Sequence, residues 1–207
     1  MARKPLTKPR KYATQERSRV TVDALIEATA RILVADGYDK ASTNRIAAKA
    51  GVSVGSLYQY FPSKEALVAA VAERHGQALT QLMHHALAQV ETLPIREGVP
   101  KLVAAAIAAH RLDPQLHCVL AEQLPHTGRP ESGEYLARDV HLSFRAYLEA
   151  HRDEVRITDL ELATFVCATS IEALTHTAVL RYSDRLSDAA FALLVDEASR
   201  LIVRYLQ

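Results

Sequence analysis

The sequence predicts an all-α protein of about nine helices. Three observations lead there. Apolar residues recur at intervals of three and four through most of the chain, the period-2 alternation of a half-buried strand appears nowhere, and Pro94, Pro114, Pro125, Pro130, Gly128 and Gly133 cut the second half into helix-length segments.

The arm from Arg3 to Tyr12 carries Arg3, Lys4, Lys8, Arg10 and Lys11, with two prolines and almost nothing to bury, so residues 1–13 read as a disordered basic arm. From about Thr14 a first helix is marked by Val22, Leu25, Ile26, Thr29, Ile32 and Leu33 and stops at Gly37. Ser42 or Thr43 can cap a short second helix with Ile46, Ala47 and Ala50 on its buried side. Gly51 supplies a left-handed turn, Val52 wedges between helices, and Ser53 can cap a third helix whose inner face is Leu57 and Phe61. Ser63 can cap a long fourth helix running to about Thr92, with Leu67, Val68, Val71, Leu79, Leu82, Met83, Ala86, Leu87 and Val90 as its apolar positions. Further helices are expected at about 96–111, 114–124, 134–151, 159–182 and 187–206, with Asp159 and Ser187 as N-caps of the last two and a joint near Ser183 and Asp184.

Length and composition bound the function. A chain of 207 residues can hold a small module and a larger domain, here a head at 14–62 and a body at 63–207. No apolar run approaches the roughly 20 residues needed to cross a bilayer, and the basic N-terminus lacks the apolar stretch of a secretory signal, so a cytoplasmic protein with no membrane partner is expected. Cys118 and Cys167 cannot form a disulfide framework and have no CxxC partner, which makes both candidates for buried apolar positions. The net charge of +1 hides an asymmetry: residues 1–64 hold 12 Lys and Arg against 5 Asp and Glu, or +7, while residues 65–207 sum to −6. A basic front end on an acidic body points to a polyanionic partner, and DNA is the obvious one.

Two short helices joined by a three-residue turn, near residues 42–61, make a helix-turn-helix, whose second helix enters the major groove with its N-terminal residues at the base edges. Val54, Gly55 and Ser56 are small enough to let that backbone come close to the bases, with Ser56 able to bond a base or phosphate and Val54 to meet a thymine methyl. Tyr58 and Tyr60 have hydroxyls long enough to reach phosphates. Lys64 falls in the first turn of the fourth helix, where it opposes the helix dipole by about 0.3–1 kcal/mol, a conflict that a phosphate at that N-terminus would remove.

The run Thr43 to Leu67, TNRIAAKAGVSVGSLYQYFPSKEAL, closely resembles the signature of TetR-family regulators, including the G-V-S turn, the L-Y-x-Y-F recognition helix and the S-K-E-x-L entry to the fourth helix. The resemblance covers roughly residues 17–70. It implies DNA contacts by Thr43, Asn44, Val54, Gly55, Ser56, Tyr58, Tyr60 and Lys64, to which Ser53 and Arg45 are added as neighbours. Members often carry Arg or a similar long donor at the position of Asn44, so either Arg45 holds a phosphate in its place or Asn44 makes a shorter contact.

The last two helices are too apolar to expose one face each to water: residues 189–195, AAFALLV, are apolar all round. The resemblance implies that this pair, at about 158–206, meets a symmetry mate in a homodimer matched to a palindromic operator, with Ile171, Leu174, Ala178, Phe191, Leu194, Ala198 and Leu201 as candidate interface residues. It also implies a cavity for a small-molecule inducer within about 63–152. Polar groups in apolar segments are the candidate lining: His110, His117, Cys118, Gln123, His141, Glu172 and His176. Adjacent helical residues point about 100° apart, so neither His84-His85 nor His117-Cys118 makes a metal site by itself, and no metal or cofactor is expected. No nucleophile-base motif, carboxylate pair or phosphate-binding glycine loop marks an enzyme. Repression of transcription is the mode the resemblance favours.

Overall fold

The computed structural model describes residues 16–122, 131–182 and 187–207, and among them the chain forms helices and one 3-10 turn with no strand. The helices are α1 (Glu16–Lys40), α2 (Thr43–Ala50), α3 (Val54–Tyr60), α4 (Lys64–Val90), α5 (Ile95–His110), α6 (Pro114–Glu122), α7 (Glu131–Ala150), α8 (Leu160–Tyr182) and α9 (Asp188–Leu206). The basic arm, Gln123 and the joint at Ser183 and Asp184 lie outside the described residues.

Most boundaries are set by local chemistry. Ser42 accepts the Arg45 amide at 3.4 Å, Ser53 that of Ser56 at 3.0 Å, Ser63 that of Ala66 at 3.2 Å, Asp159 that of Leu162 at 3.0 Å and Ser187 that of Ala190 at 3.3 Å. Each cap satisfies an amide that the first turn leaves without a partner. Gly51 ends α2 at φ +69°, and its amide returns to the Ala47 and Ala48 carbonyls. Gly37 interrupts the first helix, as expected. It takes φ 79° and ψ 172°, which breaks the helix locally, yet helical structure resumes to Lys40 and the chain then closes with the Ala41 amide on the Tyr38 carbonyl at 3.2 Å.

The chain divides into two compact units. The first takes residues up to Gly76 together with Gln115–Gly133. Leu25 and Leu33 from α1, Ile46 from α2, Leu57 from α3, Phe61, and Leu67 and Val71 from α4 are all but sealed from water there, with Leu116 and Leu120 of α6 closing the same core. Complete burial of a Leu or Phe side chain contributes about 1.5–3 kcal/mol, so these few residues set the position of α2 and α3.

The second unit takes Gln77–Pro114 and Glu134–Gln207. Its core gathers Val90, Ile95, Val99, Leu102, Leu148, Ala163, Cys167, Ile202 and Leu206. Gly98 lets α5 approach Tyr147, whose ring and hydroxyl fill the place a Cβ would take. The Tyr147 hydroxyl donates to the Leu93 carbonyl at 3.0 Å, and burial, with Glu154 nearby, pushes its pKa to about 12. Burial alone raises the Cys167 thiol to about 12. Cys118, expected inside, is half-buried.

Length and composition alone would let α8 cross a membrane, although its apolar residues are interrupted by polar ones and 39% of its most apolar stretch is buried in this unit. The hydroxyls of Thr164 and Thr175 are buried without penalty because they donate to the helix's own carbonyls, at Leu160 and Ile171.

Candidate nucleic-acid interface

The α2–turn–α3 segment has one side committed to the core and one side free. Ile46, Ala47, Leu57 and Phe61 are buried, whereas Asn44, Ser53, Val54, Gly55, Tyr58 and Gln59 are exposed. Val54 and Tyr58 place apolar surface on the free side, at 36% and 40% exposure. The leading turn of α3 is held rigid: the Ser53 and Ser56 hydroxyls are 2.8 Å apart, and Ser53 also accepts the Ser56 amide. Gly55 presents bare backbone, because a Cβ there would meet only the Ser53 hydroxyl at 3.8 Å. Nothing in the unit's own packing therefore requires glycine at this position.

The two helices are also linked outside the core, since the Thr43 and Tyr58 hydroxyls lie 3.2 Å apart. Tyr58 is thus oriented before any ligand arrives. Tyr60 is half-buried and leans on the apolar core, so packing accounts for much of its side chain.

Two expected phosphate ligands have intramolecular partners. The Arg45 guanidinium pairs with Asp36 at 2.6 Å and donates to the Lys40 carbonyl at 2.8 Å, tying the start of α2 to the end of α1. A phosphate at Arg45 would have to compete with that pair. Lys64 donates to the Tyr38 carbonyl at 3.1 Å and its ammonium sits 3.9 Å from the centre of the Tyr38 ring. The expected conflict between Lys64 and the dipole of α4 is therefore offset within the protein, by a carbonyl near the C-terminal end of α1 and by a cation–π contact. The Tyr38 hydroxyl in turn donates to Glu65 at 3.4 Å, and its pKa is raised by burial first and by Glu65 next. Asp36, Tyr38 and Glu65 were not singled out from sequence. Their partners lie 9 and 26–27 residues away and only folding brings them together.

The described candidate ligand residues belong to both units. His117 and Cys118 belong to the first unit, where His117 Nδ1 is 3.1 Å from His75 Nε2. In the second unit His110, Glu172 and His176 are neighbours: His110 donates through Nδ1 to the Ala106 carbonyl at 2.7 Å, its Nε2 lies 3.4 Å from Glu172, and its ring meets that of His176 edge-on. His141 pairs with Glu161 at 3.3 Å. Two clefts within the second unit are lined by other residues: one of about 320 Å³ between α4 and α7, and one of about 830 Å³ beside α9.

The candidate dimer residues all belong to the second unit and differ in burial. Ile171, Ala178, Phe191 and Ala198 are taken up inside the second unit, Leu194 is half-buried, and Leu174 and Leu201 are exposed. Leu162 and Phe165 of α8 and Leu193 of α9 are exposed as well.

Residues 25–71 match the family described as bacterial regulatory proteins, tetR family, and residues 94–206 match the tetracyclin repressor-like C-terminal domain. The chain belongs to the TetR family. That family is one of bacterial regulatory proteins, and the fold of this chain is that of its members. A nucleoid occlusion factor, SlmA, of Actinobacillus pleuropneumoniae is 38% identical over 76 residues, a match spanning 37% of this chain and 36% of that protein. An uncharacterised HTH-type regulator, YvdT, of Bacillus subtilis is 36% identical over 69 residues, 33% of this chain and 32% of the other. The chain thus matches only about a third of the length of these curated relatives. Solved structures extend the likeness in fold. A TetR-family regulator from Mesorhizobium loti superposes with a TM-score of 0.74 at 20% identity, covering 92% of this chain and 98% of that one. The fatty acid degradation regulator FadR from Bacillus halodurans gives 0.69 at 18% identity, covering 94% and 97%.

Proposed function

We propose that this TetR-family protein is a cytoplasmic repressor that reads a palindromic operator as a homodimer and is released by a small-molecule inducer. The observation that carries the DNA reading is the free leading face of α3, where Val54, Gly55 and Tyr58 are exposed on a helix pinned from behind by Leu57 and Phe61. Val54 and the Gly55 backbone contact base edges, Ser53, Ser56, Thr43 and Tyr58 engage phosphate or base, and Asn44 makes a shorter contact than an arginine would. Lys64 and Tyr60 border this face. The exposed Leu162, Phe165 and Leu174 of α8 and Leu193 and Leu201 of α9 support dimerisation, since such side chains form the apolar centre of interfaces between identical chains.

For the inducer we assign the cleft of about 320 Å³ walled by His84, Leu87, Ala88 and Glu91 of α4 and by Ser143, Ala146, Tyr147 and Ala150 of α7. His84 Nε2 is buried there without a hydrogen bond; the Asp139 carboxylate is 3.3 Å away but poorly aligned. Ligand binding bears directly on α4, the helix whose first turn holds Lys64. To release DNA it must favour the state that binds DNA poorly. An electrophoretic shift of DNA from upstream of the gene tests the reading. A shift that Tyr58→Ala abolishes supports it, and the absence of any shift at low salt with promoter DNA contradicts it.

A further inference from the structure

The cleft of about 830 Å³ in the second unit has a composition unlike the rest of that acidic body. Its wall carries four arginines, Arg96 of α5, Arg156 from the segment before α8, and Arg200 and Arg204 of α9, against one carboxylate, Asp196. Two of the four have partners. Arg96 donates to Gln207 at 2.6 Å, in a network where Gln207 donates to Glu154 at 3.1 Å and Glu154 accepts the Ile95 amide at 3.0 Å, and Arg200 pairs with Glu197. The guanidinium groups of Arg156 and Arg204 are exposed and have no ion-pair or hydrogen-bond partner among the described residues. The backbone at Arg156 is nonetheless fixed, its amide donating to the Leu206 carbonyl at 2.8 Å.

A second observation comes from the same wall. Ser199 is 5% exposed, yet its hydroxyl has no hydrogen-bond partner among the described residues. A buried helical serine ordinarily satisfies itself on the carbonyl one turn back, as the threonines of α8 do. A buried hydroxyl left without a partner costs about 1–3 kcal/mol, which marks the position as one shaped for something other than stability.

We propose that this cleft is a binding site for a small phosphorylated molecule, separate from the inducer cleft between α4 and α7. Arg156 and Arg204 take the phosphoryl oxygens, for which the planar guanidinium fork is suited, and the Ser199 hydroxyl donates the remaining hydrogen bond. Arg96, held by Gln207, adds positive potential. Pro100 and Val203 supply an apolar wall for the carbon skeleton, and Asp196 accepts from a ligand hydroxyl. The volume fits a ligand of that size.

Titration calorimetry of the full-length protein with inorganic pyrophosphate at fixed ionic strength tests the site, using Tyr58→Ala as a control for phosphate bound at the DNA-reading face. Wild type and Tyr58→Ala should bind alike, and Arg156→Ala combined with Arg204→Ala should weaken binding at least about tenfold. Ser199→Ala should weaken it about five- to tenfold while leaving the melting temperature of the ligand-free protein unchanged or higher. Undiminished binding in the double arginine variant overturns the proposal. So does a double variant that loses its oligomeric state in sedimentation while still binding pyrophosphate, since the arginines would then serve a second copy of the chain.

Discussion

Replacing Gly55 by alanine separates the fold of the reading head from its function. Within the protomer the added methyl meets only the Ser53 hydroxyl, at an ordinary contact distance of 3.8 Å. Glycine in a helix interior is about 0.8–1.0 kcal/mol less favourable than alanine, and at the second position of α3 roughly half of that should be recovered. For a chain of this size the melting temperature should therefore hold or rise by about 1–2 °C. Affinity for DNA should move the other way. A Cβ on the leading face holds the α3 backbone off the base edges and loses one or two contacts worth about 1–3 kcal/mol in discrimination. The expected loss of operator affinity is about 10- to 100-fold, measured by fluorescence anisotropy on a labelled duplex beside differential scanning calorimetry. Unchanged DNA affinity would refute the reasoning that bare backbone at Gly55 exists for close approach. A lowered melting temperature would refute the packing argument.

The remaining predictions concern the second unit. Gly98→Ala places a methyl where the Tyr147 hydroxyl and ring lie, so Tyr147 must give up its bond to the Leu93 carbonyl; a loss of about 1–3 kcal/mol in chemical denaturation is expected, and unchanged stability would contradict the packing described. Burial lowers the pKa of His110, but the hydrogen bond and charge of Glu172 and the Ala106 carbonyl outweigh it and leave it raised above 6.5. A raised pKa in the folded state means that this stabilisation is complete below the unfolded value and is lost as pH rises through the folded one. Wild type should thus lose stability relative to Glu172→Gln as pH rises above the ordinary histidine range of about 6.5, and parallel curves in urea denaturation would contradict the assignment.

What the sequence made legible follows the range of the interactions. Ser42, Ser53, Ser63, Asp159 and Ser187 each cap a helix through an amide three residues on, and Gly51 ends α2 by its own backbone, so these positions could be read directly. Arg45 and Lys64 could not be, because the groups that occupy them, Asp36 and Tyr38, are brought near by packing of α1 against its neighbours. Gly37 was legible as a break in the first helix, whereas the short helical resumption to Lys40 depends on packing, since the buried Ala41 and half-buried Tyr38 draw the chain back onto the core.

The apolar pair α8 and α9 was legible as helices but not by face. With apolar side chains all round, periodicity cannot separate Ile171, Ala178, Phe191 and Ala198, which the unit buries, from Phe165, Leu174, Leu193 and Leu201, which it leaves out. Polarity alone does not mark the wall of a cleft, for a related reason. His110 and His141 stand out in apolar segments because they meet Glu172 and Glu161, whereas the walls of the two clefts described include charged residues such as Glu91, Arg96 and Arg200, which read in the sequence as ordinary surface positions.

The central claim is that α3 reads a specific, twofold-symmetric DNA sequence. Selection of bound duplexes from a randomised library with the full-length protein tests it most directly, at a salt concentration that suppresses non-specific binding. Convergence on an inverted repeat with half-sites about one helical turn apart, lost with Gly55→Ala, is the outcome expected. Enrichment of no sequence, or of the same sequence by wild type and Gly55→Ala with equal affinity, would contradict it.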